Sequence, residues 1–428
     1  MNGGVLIVGA SQAGVQLAAS LRDHGHDGAI TLVGAESHPP YERPPLSKAF
    51  LAGTADIAAL HLRSESFYAE QRITVLSAER VTRLHLSPSG PPGSGSALTD
   101  RGRTLAFDRL ALTVGARPRR LHVPGVDLEG VCCLRGIDDA AHIRTHLTPA
   151  RNVVVIGGGF IGLEVAAVAR SEGRNVTVVE AAERLIARSV APEISEFYRR
   201  AHIRRGTEIR LGAGVAAIRG EHGRVCGVHL VDGTLLPADL VVVGVGVVPR
   251  TELAEQLGIV CDGGIVVDEY ARTSEPSVVA AGDCTAAPNP LTGEGRMRLE
   301  SVPNAVAQAR AAAATLVGRR QPYADVPWFW SDQYDLKLQI AGVPIGYDQI
   351  VVRGDPDGES FSVLYYRRGS LLAINAVNST RDYLAVRKAL ASGTSIPAEA
   401  AAVSDVPLKE LLLKSYLPAA ASRASRRG

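Results

Sequence analysis

Two short glycine runs carry the most specific chemistry in this sequence. Val5-Leu6-Ile7-Val8-Gly9-Ala10-Ser11-Gln12-Ala13-Gly14 and Val153-Val154-Val155-Ile156-Gly157-Gly158-Gly159-Phe160-Ile161-Gly162 are two versions of one pattern. Glycines at a turn from strand into helix let the backbone approach a pyrophosphate, whose charge then sits at the positive helix end. A single run of this kind is a weak signal. Here each run follows a continuous apolar strand, opens an Ala/Val-rich helix and leads into a second strand. Two such units imply two bound dinucleotides, and two dinucleotides imply electron transfer from one to the other.

The copies differ. The second has all three glycines, Gly157, Gly159 and Gly162, with Phe160 and Ile161 entering the helix, and Glu180 ends the next strand. A carboxylate there accepts hydrogen bonds from a ribose 2′-OH and repels a 2′-phosphate, so this half favours NADH over NADPH. Arg184, four residues on, pulls the other way. In the first copy Gly9 and Gly14 remain, but Ser11 stands at the middle position, Val33-Gly34-Ala35 carries no acid and Glu36 comes late. That copy reads either as a second dinucleotide site or as a degenerate, structural turn.

The elements that must position these residues repeat as well. The first unit predicts a strand at 5–8, a helix near 14–24 and a strand at 29–33; the second predicts a strand at 153–156, a helix near 161–172 and a strand at 175–179. Residues 110–119 and 240–250 also resemble one another, each a buried strand ending in a Gly/Pro-punctuated turn. Residues 87–96 are a Ser/Gly/Pro loop. A helix is predicted near 304–315; beyond Val326-Pro327, alternating stretches at 361–366 and 371–377 predict antiparallel strands, followed by helices near 381–391 and 407–416. The fold class is therefore α/β, with two Rossmann-like dinucleotide-binding domains of the glutathione-reductase kind plus a C-terminal α+β domain.

The net charge of +2 over 428 residues gives no nucleic-acid signal, and Arg423, Arg426 and Arg427 read as a solvated tail. Five cysteines occur without Cys-x-x-Cys or metal-like spacing, so no metal is expected. Cys132-Cys133 reads as buried thiols, which fits a reducing, cytoplasmic setting. The apolar run at 153–169 is broken by Glu164 and glycines, and no basic stretch precedes Val5, so neither a membrane span nor a signal segment is expected.

Between and beyond the glycine runs lie Arg43-Pro44-Pro45-Leu46-Ser47-Lys48, Ala280-Ala281-Gly282-Asp283-Cys284, Glu300-Ser301-Val302-Pro303-Asn304-Ala305 and Trp328-Phe329-Trp330-Ser331-Asp332-Gln333-Tyr334. With these the whole chain resembles the FAD-dependent ferredoxin reductases that pass NADH electrons to [2Fe–2S] ferredoxins of bacterial monooxygenases and dioxygenases. The resemblance implies an FAD domain, 1–116 and 247–325, interrupted by an NAD domain, 117–246, and followed by an interface domain, 326–428. It implies FAD contacts at Ala13, Lys48, Val81, Arg135, Asp283 with Gly282, and Val302, with Arg43 and Pro44 beside the flavin. Ala35 stands where relatives often have an acid, which leaves Glu36 as the candidate for the adenosine ribose.

The resemblance also gives Lys48 and Glu164 a role: a lysine near the flavin ring stabilises negative charge gained on hydride arrival, and the glutamate pairs with it. By themselves they read as a surface lysine and a helix-start glutamate. The helix near 304–315 would face its positive end to the flavin, and Trp330 would lie beside the ring as an exit for electrons; Trp328 and Trp330 read equally as core aromatics. Disulfide reductases of this architecture keep a cysteine pair at the flavin, whereas no cysteine occurs before Cys132 and Cys284 reads as structural. Electrons must then leave one at a time to a protein acceptor. An acidic ferredoxin would dock on basic residues, for which Arg310, Lys409, Arg296 and Arg298 are candidates. Reduction of a small acceptor such as a quinone or a radical, or a redox sensor like apoptosis-inducing factor, are the alternatives.

Overall fold

Strand Val5–Val8 has no polar side chain and is buried at every position, as a strand covered on both faces must be. It lies at the centre of a five-stranded parallel sheet in the order Val278–Ala280, Arg109–Leu112, Val5–Val8, Ile30–Val33, Ile73–Leu76. Strand Asn152–Ile156 occupies the same place in a second parallel sheet, ordered Glu208–Arg210, Asn175–Val179, Asn152–Ile156, Leu240–Val243, Val131–Cys133. Helices Gln12–Asp23 and Phe160–Ser171 leave the two glycine turns. This computed structural model describes residues 4–91, 93–293 and 295–416, with side chains up to Leu412; Arg423, Arg426 and Arg427 lie outside the described residues.

The duplication runs deeper than the glycine motifs. In each half a three-stranded antiparallel sheet precedes the return to the parallel sheet: Val81–Leu86, Gly95–Thr99 and Thr104–Phe107 before Arg109–Leu112, and Val215–Glu221, Arg224–Leu230 and Leu235–Pro237 before Leu240–Val243. The loop expected at 87–96 is therefore shorter, because Gly95 and Ser96 already pair with Leu86 and His85. A Cβ at Gly95 would meet the His85 carbonyl oxygen at 2.1 Å, so only glycine permits that approach. The segments repeated at 110–119 and 240–250 also meet: Ala116–Pro118 pairs antiparallel with Val247–Pro249.

The described chain forms two compact units, one of residues up to Ala181 with Gly206–Asp325, the other of Ala182–Arg205 with residues from Val326 on. Both parallel sheets belong to the first. The second is built on an antiparallel sheet ordered Trp328–Gln333, Leu336–Gly342, Ser370–Val377, Ser360–Arg367, Gln349–Asp355. Helix Pro192–Arg204, inside the stretch 117–246, packs in this second unit: Phe197 meets Phe361 edge to face at 4.9 Å, and the Tyr365 hydroxyl accepts from Ala191 N–H.

His202 on that helix is fully buried. The Gln333 amide nitrogen donates to Ser331 Oγ, which turns its Oε1 toward His202 Nε2 at 2.9 Å and places the imidazole proton on Nε2. Burial is the main force holding His202 down to about 4. The unfolded chain, titrating near 6.5, then binds the extra proton between those values, so stability rises with pH across that window and is lost on acidification. Between pH 7 and pH 5 the loss is about 2 kcal/mol from this group. Urea midpoints at the two pH values are expected to converge by that amount in His202→Gln relative to the parent; an equal pH dependence in both would refute the assignment.

Candidate functional site

The two glycine turns are close copies in space. Gly9 and Gly157 have φ of +118° and +112°, and a Cβ would meet the Thr113 carbonyl oxygen at 2.2 Å or that of Gly244 at 2.4 Å. At Gly14 and Gly162 a Cβ would lie 2.1 Å from the carbonyl oxygen of Gly9 or Gly157. These positions exclude any side chain because each turn folds back on its own helix and on the neighbouring strand. The middle position differs. A Cβ at Gly159 would meet nothing within 4 Å, and Ser11 occupies the matching place with φ −133°. Ser11 keeps an extended backbone that any residue adopts, and it lines the cavity, where a bound group would feel it.

The first turn opens on a cavity of about 420 Å³. Of the residues named from the sequence, Gly9, Ser11, Ala13, Glu36, Arg43, Val81, Arg135, Gly282 and Asp283 line it, whereas Gly14, Pro44, Lys48 and Val302 do not. Gly14 is buried behind the turn, and Val302 begins helix Val302–Leu316, which Ser301 caps by accepting from Asn304 N–H. Glu36 does reach the cavity, but its carboxylate is already gripped by the Tyr41 hydroxyl and the Arg43 guanidinium. Burial opposes its ionisation, yet Arg43 and Tyr41 outweigh burial and hold the carboxyl below the usual carboxylate range. Arg43 also donates to the Arg135 carbonyl at 2.6 Å, and Arg135 donates to Asp283 at 3.3 Å. The loop after Ile30–Val33 is thereby tied to the far wall.

Two cavity residues had no signal in the spacing. Thr113 donates to the Gly9 carbonyl at 2.8 Å and braces the turn. Arg250 lies beyond the strand paired to Ala116–Pro118; burial, then Arg80, with Arg117 and Arg135 adding, holds it below the usual arginine value. Both depend on pairings between segments far apart in sequence.

Lys48 and Glu164 come together. Lys48 Nζ donates to Glu164 Oε2 at 2.7 Å and to the Pro44 carbonyl at 3.3 Å, and Ser47 Oγ donates to the same Glu164 oxygen at 2.5 Å. Glu164 is 4% exposed and sits mid-helix, which overturns the simpler alternative of a solvated helix-start acid. Lys48 is the only lysine before Lys337, in a stretch where arginines supply the other permanent cations.

At the second turn, Gly158 N–H donates to Glu180 Oε2 at 2.7 Å, so the carboxylate lies against the glycines as the spacing requires. Phe160 and Ile161 open the helix, Ile161 exposed. Arg184 spends its guanidinium on the carbonyls of Val190 and Ala187 and on Ser195 Oγ, which removes it as an obvious phosphate ligand.

Trp330 belongs to the second unit, in strand Trp328–Gln333, its ring 5.4 Å from that of Trp328. Arg310, Arg296 and Lys409 are exposed. Arg298 is paired with Glu300 and donates to the Gly263 carbonyl, so its charge is largely spent within the chain. Cys284 is fully buried, and burial pushes its thiol up to about 12; burial does the same to Cys132. Of the two thiols expected to be buried, Cys132 is buried and Cys133 only partly so. Among the described residues no His/Cys/Asp/Glu cluster could hold a metal, and no helix is long and apolar enough to cross a membrane.

Comparison with known proteins agrees with this geometry. A family model described as pyridine nucleotide-disulphide oxidoreductase matches residues 3–309, and one described as reductase C-terminal matches residues 328–412. Rhodocoxin reductase of Rhodococcus erythropolis is 45% identical over 95% of this chain and 93% of its own. Putidaredoxin reductase of Pseudomonas putida is 39% identical over 96% and 97%. Among solved structures, that of the covalent putidaredoxin reductase–putidaredoxin complex superposes with a TM-score of 0.92 at 39% identity, covering 96% of this chain and 99% of the other. The ferredoxin reductase of the CYP199A2 system from Rhodopseudomonas palustris gives 0.90 at 43%, covering 95% and 99%. The chain belongs to the pyridine nucleotide-disulphide oxidoreductase family, in the ferredoxin-reductase group that carries the reductase C-terminal domain.

Proposed function

We infer that this chain is an NADH-dependent ferredoxin reductase, an FAD enzyme that takes electrons in pairs from NADH and passes them singly to a [2Fe–2S] ferredoxin serving a monooxygenase or dioxygenase. The observation that carries the reading is the Lys48–Glu164 pair, which ties the loop after the first glycine turn to the helix of the second, in a chain with no cysteine before Cys132. Bound FAD supplies the exchange between two-electron and one-electron chemistry. The cavity fits that cofactor: Gly9 and Gly14 admit no side chain, and backbone N–H groups open the helix for a pyrophosphate.

The chain's own residues then divide the work. Gly9, Ser11 and Ala13 would approach the pyrophosphate, with Gly14 closing the turn behind them, while Asp283 and Gly282 would face it across the cavity and Val81 would border the adenosine side. Glu36 acts on a ribose only through the lone pairs that Tyr41 and Arg43 leave, so its main task is to position Arg43. Pro44 and Val302 support the ring from outside the cavity, and Lys48 presents a cation to it. Gly157, Gly159, Phe160, Ile161 and Gly162 receive NADH, with Glu180 selecting against a 2′-phosphate. Trp330 is the proposed aromatic exit. The division into 1–116 with 247–325, 117–246 and 326–428 follows the same roles, and the proposed setting is the cytoplasm.

A panel of purified [2Fe–2S] ferredoxins, read by cytochrome c reduction, tests this function. At least one acidic ferredoxin is expected to exceed quinone and radical acceptors in kcat/KM. That rate should fall by about an order of magnitude when ionic strength is raised tenfold, and substitution of Arg310, Arg296 or Lys409 should flatten the dependence. Preference for the small acceptors, or a salt-independent ferredoxin rate, would overturn it.

A further inference from the structure

Ser47 is 5% exposed, and its hydroxyl donates to Glu164 Oε2 at 2.5 Å. That oxygen also receives Lys48 Nζ at 2.7 Å. Successive residues of one loop thus compete for one buried carboxylate oxygen. An ammonium has three N–H donors. Lys48 uses one on Glu164 and a second, longer one on the Pro44 carbonyl; the third has no acceptor among the described residues. The 3-10 turn Pro44–Ser47 fixes this arrangement, because its geometry aims both side chains at the helix Phe160–Ser171.

Two donors on one acceptor weaken each other, since each withdraws the charge that the other binds. We propose that Ser47 is a positioning residue for the reductive step: its hydroxyl occupies Glu164 so that Lys48 is held in place without being captured, and keeps one N–H directed away from the pair. This rests on the reading of Lys48 given above, though not on the identity of the electron acceptor. A merely structural serine would satisfy the buried carboxylate and nothing more. Only the positioning role predicts a slower-reacting lysine when the hydroxyl is removed.

The test is the rate at which Lys48 is acylated by a small anhydride, measured by mass spectrometry on the full-length chain stripped of FAD, with NADH and acceptor absent. Lys48 is the only lysine before Lys337, so its peptide is unambiguous. In Ser47→Ala the amine is drawn closer to Glu164 and is expected to react about threefold more slowly, on the scale of one charge-assisted hydrogen bond redistributed between donors. In a Glu164→Gln background the same substitution should change nothing. In the FAD-loaded enzyme, Ser47→Ala should lower the limiting rate of flavin reduction about fivefold without moving the NADH concentration for half-saturation. Ser47→Cys, a poorer donor of similar volume, should fall between, and carries the comparison if the alanine variant does not fold. Equal or faster acylation in Ser47→Ala, or an effect that persists without the Glu164 charge, would overturn the proposal. Slower acylation with a failed ferredoxin assay would leave it standing and refute only the acceptor.

Discussion

Lys48→Ala is expected to slow NADH-driven flavin reduction about a hundredfold, the scale of removing one preorganised charge from a reacting centre, while FAD affinity stays within a few-fold of the parent. The asymmetry follows from position: Lys48 does not line the cavity at the first turn, and its ammonium is anchored to Glu164 and Pro44 with one donor to spare. The substitution also removes the counter-charge of a buried carboxylate, which keeps its hydrogen bond from Ser47. That costs on the order of 2 kcal/mol, less than for a fully buried pair because the lysine is one-fifth exposed. Lys48→Met combined with Glu164→Gln separates the effects, since it should restore the thermal midpoint but not the rate. Lys48→Arg should rescue little, because a planar guanidinium does not fit where a compact ammonium sits between two oxygens. Stopped-flow traces with the parent rate in Lys48→Ala would remove this lysine from the chemistry.

The second large effect is a contrast between neighbouring glycines. Gly157→Ala places a Cβ 2.4 Å from the Gly244 carbonyl oxygen at φ +112°, on the order of 3 kcal/mol of strain and clash at the second turn, the proposed NADH site. NADH should no longer reduce the flavin, while dithionite still does, because the Gly9 turn is untouched. Gly159→Ala meets no protein atom within 4 Å, so stability should move by less than about 0.5 kcal/mol. On the proposed reading the new methyl meets the dinucleotide, and half-saturation by NADH should rise about tenfold at unchanged thermal midpoint. Unchanged NADH saturation in Gly159→Ala would mean that NADH binds elsewhere. The same logic explains Ser11, which looks like a defect in a consensus and is sterically silent in the protein.

Much of the site was legible before any coordinates. The glycine turns, the strand–helix–strand units and Glu180 follow from short-range pattern, because a parallel strand buried on both faces is uniformly apolar and a turn at a phosphate leaves no room for side chains. The pair Lys48–Glu164 was legible only through the resemblance, since 116 positions separate its members. Ser47, Thr113 and Arg250 were not singled out, as serine, threonine and arginine carry no periodic signal of their own. The packing of helix Pro192–Arg204 with the antiparallel unit was equally hidden, because its apolar face declares that it is covered but not by what.

The sequence by itself determined that there are two glycine turns, which of them keeps every glycine, and that no thiol stands in the loop that carries Lys48. Local sterics and chemical identity are enough for those conclusions. Only the tertiary structure decided that the middle glycine is dispensable to the fold, that Glu36 is already held by Tyr41 and Arg43, and that Ser47 and Lys48 share one oxygen of Glu164. Each of these depends on which distant atoms arrive within 4 Å. Sheet register and helix packing set those approaches, and no property of the residues taken in order does.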